Sequence, residues 1–350
     1  MRIALAGALD LNEVSGIPRL IGFLSQALSG LGHQVAICGA AGGRRGPVAF
    51  IPVERLDPGQ QDVVHTFGSF GLPELFRRRT PGTVHTYLGT IISLGLSFPP
   101  TFANLRARWF RAGIAREFAS GRRAAQVTAV SRFARESAHR WYGVDRRRIT
   151  VVPNGCAPAR PDRVAAARVR QRLLLDPGTI HWLFIGRTED PIKNYRLAER
   201  SFLRFRAKFP RGRLLVVTAE QRRWPDGVSG TGSLADDELA QLYQLVDGFL
   251  NCSYYDGMPL TLLEAMAAGL PALATAAGGS EDVITTGSNG YLIPRDEETI
   301  AGLMLKLSMD PELRRGIGTA ARLTAERHTW GRIAEQYCEV YRKALQGSAA

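Results

Sequence analysis

The stretch "NCSYYDGMPLTLLEAMAAGLPALATAAGGSEDVI", residues 251–284, decides how this chain folds. It leaves an apolar strand, turns through a proline and continues as an Ala-rich helical run. A second strand of small residues follows, then a Gly-Gly turn. Two carboxylates, Asp256 and Glu264, stand at and just inside the strand-to-helix junction, with seven residues between them. Pro259 suits the first turn of the helix, where its missing N–H costs nothing. Gly269 suits the position just past the last turn.

Outward from this stretch the chain keeps alternating apolar strands with amphipathic helices. In the first half, "RIALAG", "HQVAICGA", "DVVHTF", "GTVHTY", "QVTAVS" and "ITVVPNG" read as strands. Between them "IPRLIGFLSQALSGLG" and "SRFARESAHRWYG" read as helices, the second with a Ser cap and a Gly stop. The alternation pauses at 156–178, "CAPARPDRVAAARVRQRLLLDPG", a Pro, Arg and Ala mixture that is the best linker candidate. It then restarts with the strands "HWLFIG", "GRLLVVTA", "GFLNCS" and "PALATA" and the helices "NYRLAERSFLRFRAKF", "DDELAQLYQLV", "LTLLEAMAAG" and "EDVI". Strands interleaved with helices predict an α/β protein with parallel sheets covered on both faces. A length of 350 residues predicts two such domains. The expected boundaries are 1–158 and 159–330, with a final helix at about 331–347 that is able to return to the first domain. Two Rossmann-like domains facing across a cleft would hold their ligand beyond the carboxyl ends of the strands.

Composition narrows the chemistry. No apolar run is long enough to span a membrane, and Asp10 and Glu13 follow the first apolar run too soon for a signal peptide. Four cysteines without paired spacing predict buried free thiols in a reducing, cytoplasmic compartment. Neither they nor the six histidines form a zinc pattern. The net charge of +13 is lopsided: residues 1–155 hold 20 arginines against 9 acids. A basic half calls for an anionic partner, whether nucleic acid, a phosphorylated acceptor or an anionic membrane surface. Two arginine clusters, Arg77–Arg79 and "NLRARWFRAGIAREFASGRR", suit a lipid phosphate or an anionic membrane surface, although on a helical wheel the arginines of the second do not gather on one face.

Five places carry candidate chemistry. Beside a helix N-terminus, the amides of Gly257, Met258 and Leu260 favour an anion, while Asp256 and Glu264 accept hydrogen bonds and suit hydroxyls. The alternative is that Asp256 caps the helix and Glu264 is solvated. In "FIGRTEDPIKN", Arg187 and Lys193 follow a strand end, where a fork and a point charge neutralise a diphosphate without a metal. The alternative is a solvated surface pair. In "NEVSGIPRL", Gly16 permits close backbone approach to a phosphate, or is an ordinary turn. In "GTVHTYLGT", His85 sits at a strand end, and His65 occupies a similar place in "DVVHTF", so one of the two is expected to be structural. Asp236 and Asp237 resemble a metal-binding double acid, but their position before an apolar helical run favours capping and dipole complementation.

Three of these segments resemble the retaining glycosyltransferases of family four, which have the GT-B architecture. "DGMPLTLLEAMAAGLPALATAAGGSEDVI" is similar to that family's acid-x7-acid signature, with Asp256 where Glu is usual. "FIGRTEDPIKN" is similar to its Gly-Arg…Lys segment, and "VTAVSRFARESAHRWYGVDRRRITVVPNG" to the segment that closes its first domain. Two departures accompany them: Ser-Gly-Ile-Pro stands where Gly-Gly is common, and Thr86 follows His85 where Asp is common. The resemblance implies that Arg187 and Lys193 bind the donor diphosphate, helped by amides near Gly16. It implies that Glu264 holds the ribose hydroxyls and that Asp256 contacts the transferred sugar. Gly257, Met258, Pro259 and Leu260 would line sugar and phosphate, His85 would lie near the donor sugar, and Glu281 would be the acid after the Gly-Gly turn. The expected reaction needs no cofactor or metal, because the nucleoside-diphosphate sugar is itself the donor substrate. The acceptor is a hydroxyl, for which lipid-linked and phosphorylated forms are candidates. An anionic membrane surface at the inner face is a further candidate partner; nucleic acid is not. The alternatives are a non-catalytic sugar-nucleotide-binding protein of the same fold, or a GT-B-like phosphorylase or epimerase.

Overall fold

The structure, a computed structural model, describes residues 1–7, 16–39, 48–76, 82–157 and 161–346, without the side chains of 101, 102 and 105. Asp10, Glu13 and the run Arg77–Arg79 lie outside the described residues.

The chain divides into two compact units. The first takes Met1–Gly155 and the final His328–Ala350; the second is Cys156–Arg327. In the first unit the strands are β1 (Arg2–Ala6), β2 (Gln34–Gly39), β3 (Ala49–Pro52), β4 (Val63–Phe67), β5 (Gly82–Tyr87), β6 (Gln126–Ala129) and β7 (Ile149–Val151). They pair in parallel in the order β3-β2-β1-β4-β5-β6-β7. The second unit has β8 (Ile180–Ile185), β9 (Gly212–Val217), β10 (Val228–Gly230), β11 (Gly248–Asn251), β12 (Ala272–Thr275) and β13 (Tyr291–Ile293). These are also parallel, in the order β10-β9-β8-β11-β12-β13. Both sheets thus follow the doubly wound order 3-2-1-4-5-6, to which the first adds a seventh strand. The order reverses between the first and fourth strands of each unit. That reversal places each unit's ligand crevice: beyond β1 and β4 in one, beyond β8 and β11 in the other.

The short apolar strands are what a sheet covered on both faces demands. All of β4, β5, β11 and β12 is buried. In the second unit Trp182, Phe184, Phe202 and Phe205 fill the layer between sheet and helices. The helix Trp330–Gln346 buries Ile333, Tyr337, Val340 and Tyr341. It packs on β4, β5, β6 and the helix Gly16–Gly30, inside the first unit.

Several local expectations change. The linker candidate contains a helix, Arg163–Arg172, because Asp162 caps it by accepting from Val164 and Ala165 amides at 2.9 and 3.1 Å. It packs on the helix Asp236–Leu245. The helices Glu297–Met309 and Pro311–Ala325, unnoticed in the sequence, begin on Asp296 and Asp310 caps. Asp236 and Asp237 lie in the first turn of their helix, where they complement its dipole. The Arg-rich stretch of the first unit is not one helix: it breaks at Ala107 into Thr101–Arg106 and Arg108–Arg123. All four cysteines are unbridged and buried. Among the described residues, no helix is long and apolar enough to cross a membrane.

Candidate functional site

The crevice of the second unit is built by the loops that leave β8 and β11. The β8 loop begins at Gly186, whose φ of 151° lets the stem of Lys193 lie over it; a Cβ there would stand 3.1 Å from Lys193 Cγ. The loop turns on itself through Ile192 N donating to Asp190 Oδ1 at 2.9 Å and Lys193 N to Asp190 O at 3.1 Å. It is tied to the β11 loop by Tyr254 N donating to Ile192 O at 2.8 Å. Beside that tie, Lys193 Nζ donates to Asp256 Oδ2 at 3.0 Å. The pair sits beyond the ends of β8 and β11, the lysine side chain 33% exposed and the aspartate 18%. The negative charge of Asp256 raises the Lys193 pKa against the opposing effect of burial, so the ammonium stays protonated. An ammonium has three donors, and this contact uses one.

Asp256 is held by its backbone as well. Its N–H donates to Ala277 O at 2.7 Å and its C=O accepts from Gly279 N at 3.0 Å, which bridges it to the Gly-Gly turn. Gly279 is there because the chain packs backbone on backbone: a Cβ would stand 2.6 Å from Met258 Cα and collide with Gly257 O. The expected turn is therefore the clamp that positions residues 256–258. Pro259 occupies the N-cap, with φ −70° and ψ 117°, rather than the first turn, and the helix runs Leu260–Ala267. Asp256 does not cap that helix; it is committed to Lys193. Ala268 ends it and Gly269 follows at φ 79°, the left-handed stop read from the sequence.

Glu264 lies on the half-buried side of this helix, whose Leu262, Leu263, Ala265 and Met266 are buried. Tyr243 OH donates to its Oε2 at 3.0 Å. Cys156 is near enough to feel its charge; burial first, then Glu264, pushes that thiol up to about 12. Arg187 is 79% exposed and rests 3.6 Å from Asp190. Glu281 is exposed on the short helix Ser280–Val283, its N–H bonded to Gly278 O.

In the first unit, Gly16 is exposed at the start of the helix Gly16–Gly30, with open space where a side chain would go. His85 is not at a strand end. It lies inside β5 with two residues following, and is fully buried. Its Nδ1 meets Thr66 Oγ1 at 2.9 Å, and burial lowers its pKa to about 3, so the ring is neutral. Its Nε2 has no partner among the described residues, and neither does the nearby Ser120 Oγ. His65 is structural: its nitrogens meet Tyr341 OH at 2.9 Å and Thr86 Oγ1 at 2.6 Å, tying β4 and β5 to the final helix.

A third cation escaped the sequence reading. Arg222 Nη1 donates to Thr188 Oγ1 at 3.3 Å, on the same loop as Arg187 and Lys193. Its guanidinium stacks over Tyr195 and Trp224 at 5.5 and 5.2 Å. Thr188 N in turn donates to Glu220 Oε1 at 2.9 Å. These residues border a cavity of about 300 Å³ beyond the ends of β9 and β10, lined by Glu220, Arg222, Trp224, Gly230, Thr231 and Gly232. The available signal was positional: "TAEQRRW" follows a strand next to the sheet's reversal.

With this geometry in view, comparison with known proteins settles the family. The model described as Glycosyltransferase Family 4 matches residues 47–160, and that of Glycosyl transferases group 1 matches 179–310. Together they span well over half of the chain. This chain is a member of the glycosyltransferase family 4 group. A relative named D-inositol 3-phosphate glycosyltransferase, from Stackebrandtia nassauensis, is 31% identical over 232 residues, covering 59% of this chain and 52% of its own. The sulfoquinovosyl transferase of Arabidopsis thaliana is 40% identical over 104 residues, covering 29% of this chain and 20% of its own. The chain spans about half the length of the inositol phosphate glycosyltransferases that it matches. Among solved structures, sucrose-phosphate synthase from Thermosynechococcus elongatus superposes with a TM-score of 0.75 at 21% identity, over 99% of both chains. HepE of Anabaena, solved with UDP-glucose, gives 0.74 at 17% identity over 97% of this chain and 99% of its own. The fold of this family member is GT-B, two Rossmann-like units with parallel sheets.

Proposed function

We propose that this protein transfers a sugar, with retention, from a nucleoside-diphosphate sugar to a hydroxyl acceptor. The observation that carries the reading is the Lys193–Asp256 pair at the reversal of the second sheet. In it a cation suited to a leaving phosphate stands beside a carboxylate suited to a sugar hydroxyl. As the anomeric C–O bond breaks, negative charge collects on the departing diphosphate. Lys193, Arg187 and the amides at the start of helix Leu260–Ala267 stabilise it where it develops. The acceptor oxygen attacks the face the leaving group vacates, and its proton passes to a leaving phosphate oxygen. No protein nucleophile is needed, and the protein's cations supply the charge stabilisation without a metal or cofactor. Glu264 receives the ribose hydroxyls, Gly257, Met258, Pro259 and Leu260 line the sugar and phosphate, and Glu281 faces the sugar end; His85, fully buried within β5, takes no part in this contact. The cavity beside Trp224 and Arg222 offers the base a flat wall. A reducing, cytoplasmic setting is supported by the four unbridged cysteines.

The test is incubation with a panel of nucleotide sugars in the presence of a chelator, beginning with UDP-glucose. Slow donor hydrolysis, or transfer to an added acceptor, supports the reading. Binding of nucleotide sugars without any turnover would leave a sugar-nucleotide-binding protein, and neither binding nor turnover would end both readings.

A further inference from the structure

The break at Ala107 changes what the arginine-rich stretch can do. Taken alone, the helix Arg108–Arg123 buries Phe110, Gly113, Glu117, Ser120 and Gly121. On a wheel of 3.6 residues per turn, Arg108, Arg111, Arg116, Arg122 and Arg123 then fall within roughly 140° of the opposite, exposed side. All five are exposed. Two aromatic side chains stand at the edges of that arc, Trp109 at 61% exposure and Phe118 at 42%. Arg106, at the end of the preceding helix, is exposed as well. Between residues 75 and 135 the sequence holds 11 arginines and a single acid, Glu117, which is buried. Among the described residues, Arg106, Arg108, Arg111 and Arg116 form no ion pair with a carboxylate.

We infer that this helix face docks on an anionic lipid surface. A solvated face normally mixes its charges, whereas this one has a single sign. Anionic headgroups supply the missing counter-charge over an area, and each arginine reaching the surface adds to binding. The aromatic edges distinguish the partner. An indole with an apolar body and a polar N–H belongs at the boundary between headgroups and acyl chains, and the arginine stems lie along that same boundary. A nucleic acid would meet the cations equally well, but offers two outward aromatic rings at the rim of the patch no apolar layer to enter. The inference goes beyond the proposed reaction and does not depend on it, because docking requires no nucleotide.

The test is sedimentation of the full chain with phosphatidylcholine vesicles, with and without phosphatidylglycerol. The wild type is expected to partition onto the anionic vesicles alone, and less so at high salt. Replacing Arg108, Arg111 and Arg122 together with Gln is expected to lower the partition coefficient about 100-fold, roughly fivefold per charge. Trp109→Ser is expected to lower it less and to remove a blue shift in emission seen on vesicle binding. Far-ultraviolet circular dichroism of each variant checks the fold, and Arg196→Gln, on another helix, serves as a charge control. Absence of wild-type partition, or equal loss in the control, overturns the inference. So does binding to a DNA duplex that depends on the same arginines without vesicle binding.

Discussion

Lys193 and Asp256, 63 residues apart in sequence, meet at 3.0 Å where the loops of β8 and β11 cross. Each is the other's electrostatic partner before any ligand arrives. On the proposed reading an anionic diphosphate would compete with Asp256 for the ammonium, which the pair keeps protonated and oriented. Lys193→Ala removes it. Donor hydrolysis and transfer are expected to fall at least about tenfold, the loss of one leaving-group stabiliser. Steady-state kinetics check this, and wild-type rates would remove Lys193 from the reaction.

Asp256→Asn keeps the shape and loses the charge. Lys193 is then no longer shared, so free nucleoside diphosphate should bind as well as before or more tightly, while transfer collapses. Calorimetry and a transfer assay on the same preparation separate the two effects. Parallel loss of both would move Asp256 from the sugar to the nucleotide subsite.

Glu264→Gln tests the ribose contact. A carboxylate that accepts from hydroxyls makes charge-assisted bonds, which are worth about 1.5–3 kcal/mol each. Nucleoside diphosphate affinity should therefore drop about tenfold or more. Tyr243→Phe removes the donor to Oε2 and should cost less, since it loosens the carboxylate without removing it. Titration calorimetry of both variants ranks them, and unchanged affinity in Glu264→Gln rejects the assignment.

Gly279→Ala probes the clamp. The new methyl collides with backbone, at Gly257 O and Met258 Cα, and backbone cannot swing aside as a side chain can. Overpacking of this kind costs about 1–3 kcal/mol or more. A lower melting temperature is expected together with loss of turnover, because the carbonyl of Asp256 is bonded to the Gly279 amide. A stable, active variant would show that the turn does not position Asp256.

The doubly wound class and the strand-to-helix junctions were legible because a buried parallel strand must be a short apolar run, and a helix stop wants a residue at positive φ. Gly143 and Gly269 both obeyed that rule, with φ of 67° and 79°. Pairing across sequence was not legible. Nothing near Lys193 announces Asp256; their meeting follows from the strand order, which places β11 next to β8. In the sequence "GTVHTYLGT" reads with His85 at a strand end. In the structure Thr66 pairs with His85 Nδ1, and Thr86 with Thr128, across neighbouring strands instead. The helix Arg163–Arg172 was hidden by a Pro- and Arg-rich composition that outweighed one capping aspartate. The exposed arc of arginines emerged once the break at Ala107 reset the helical phase.

Glu117 gives a pH signature that belongs to the first unit alone. It is 3% exposed, and Tyr142 OH and Ile91 N both donate to its Oε2, at 2.6 and 2.9 Å. Burial outweighs those bonds and lifts its pKa to about 7, against 4.5 in the unfolded chain. The folded chain therefore keeps a proton that the unfolded chain releases between those values. Stability from the neutral carboxyl is complete below about pH 4.5 and is lost as pH rises through about 7, on the order of 3 kcal/mol in all. The buried His65 and His85 act in the other direction, since their lowered values cost stability as pH falls below their unfolded value of 6.5. Glu117→Gln isolates the carboxyl, because the amide oxygen can accept from both donors and does not titrate. Urea midpoints of the variant and the wild type should nearly coincide at pH 5 and diverge by pH 8, with the variant more stable. A constant difference across that range would mean that Glu117 enters the folded state already ionised.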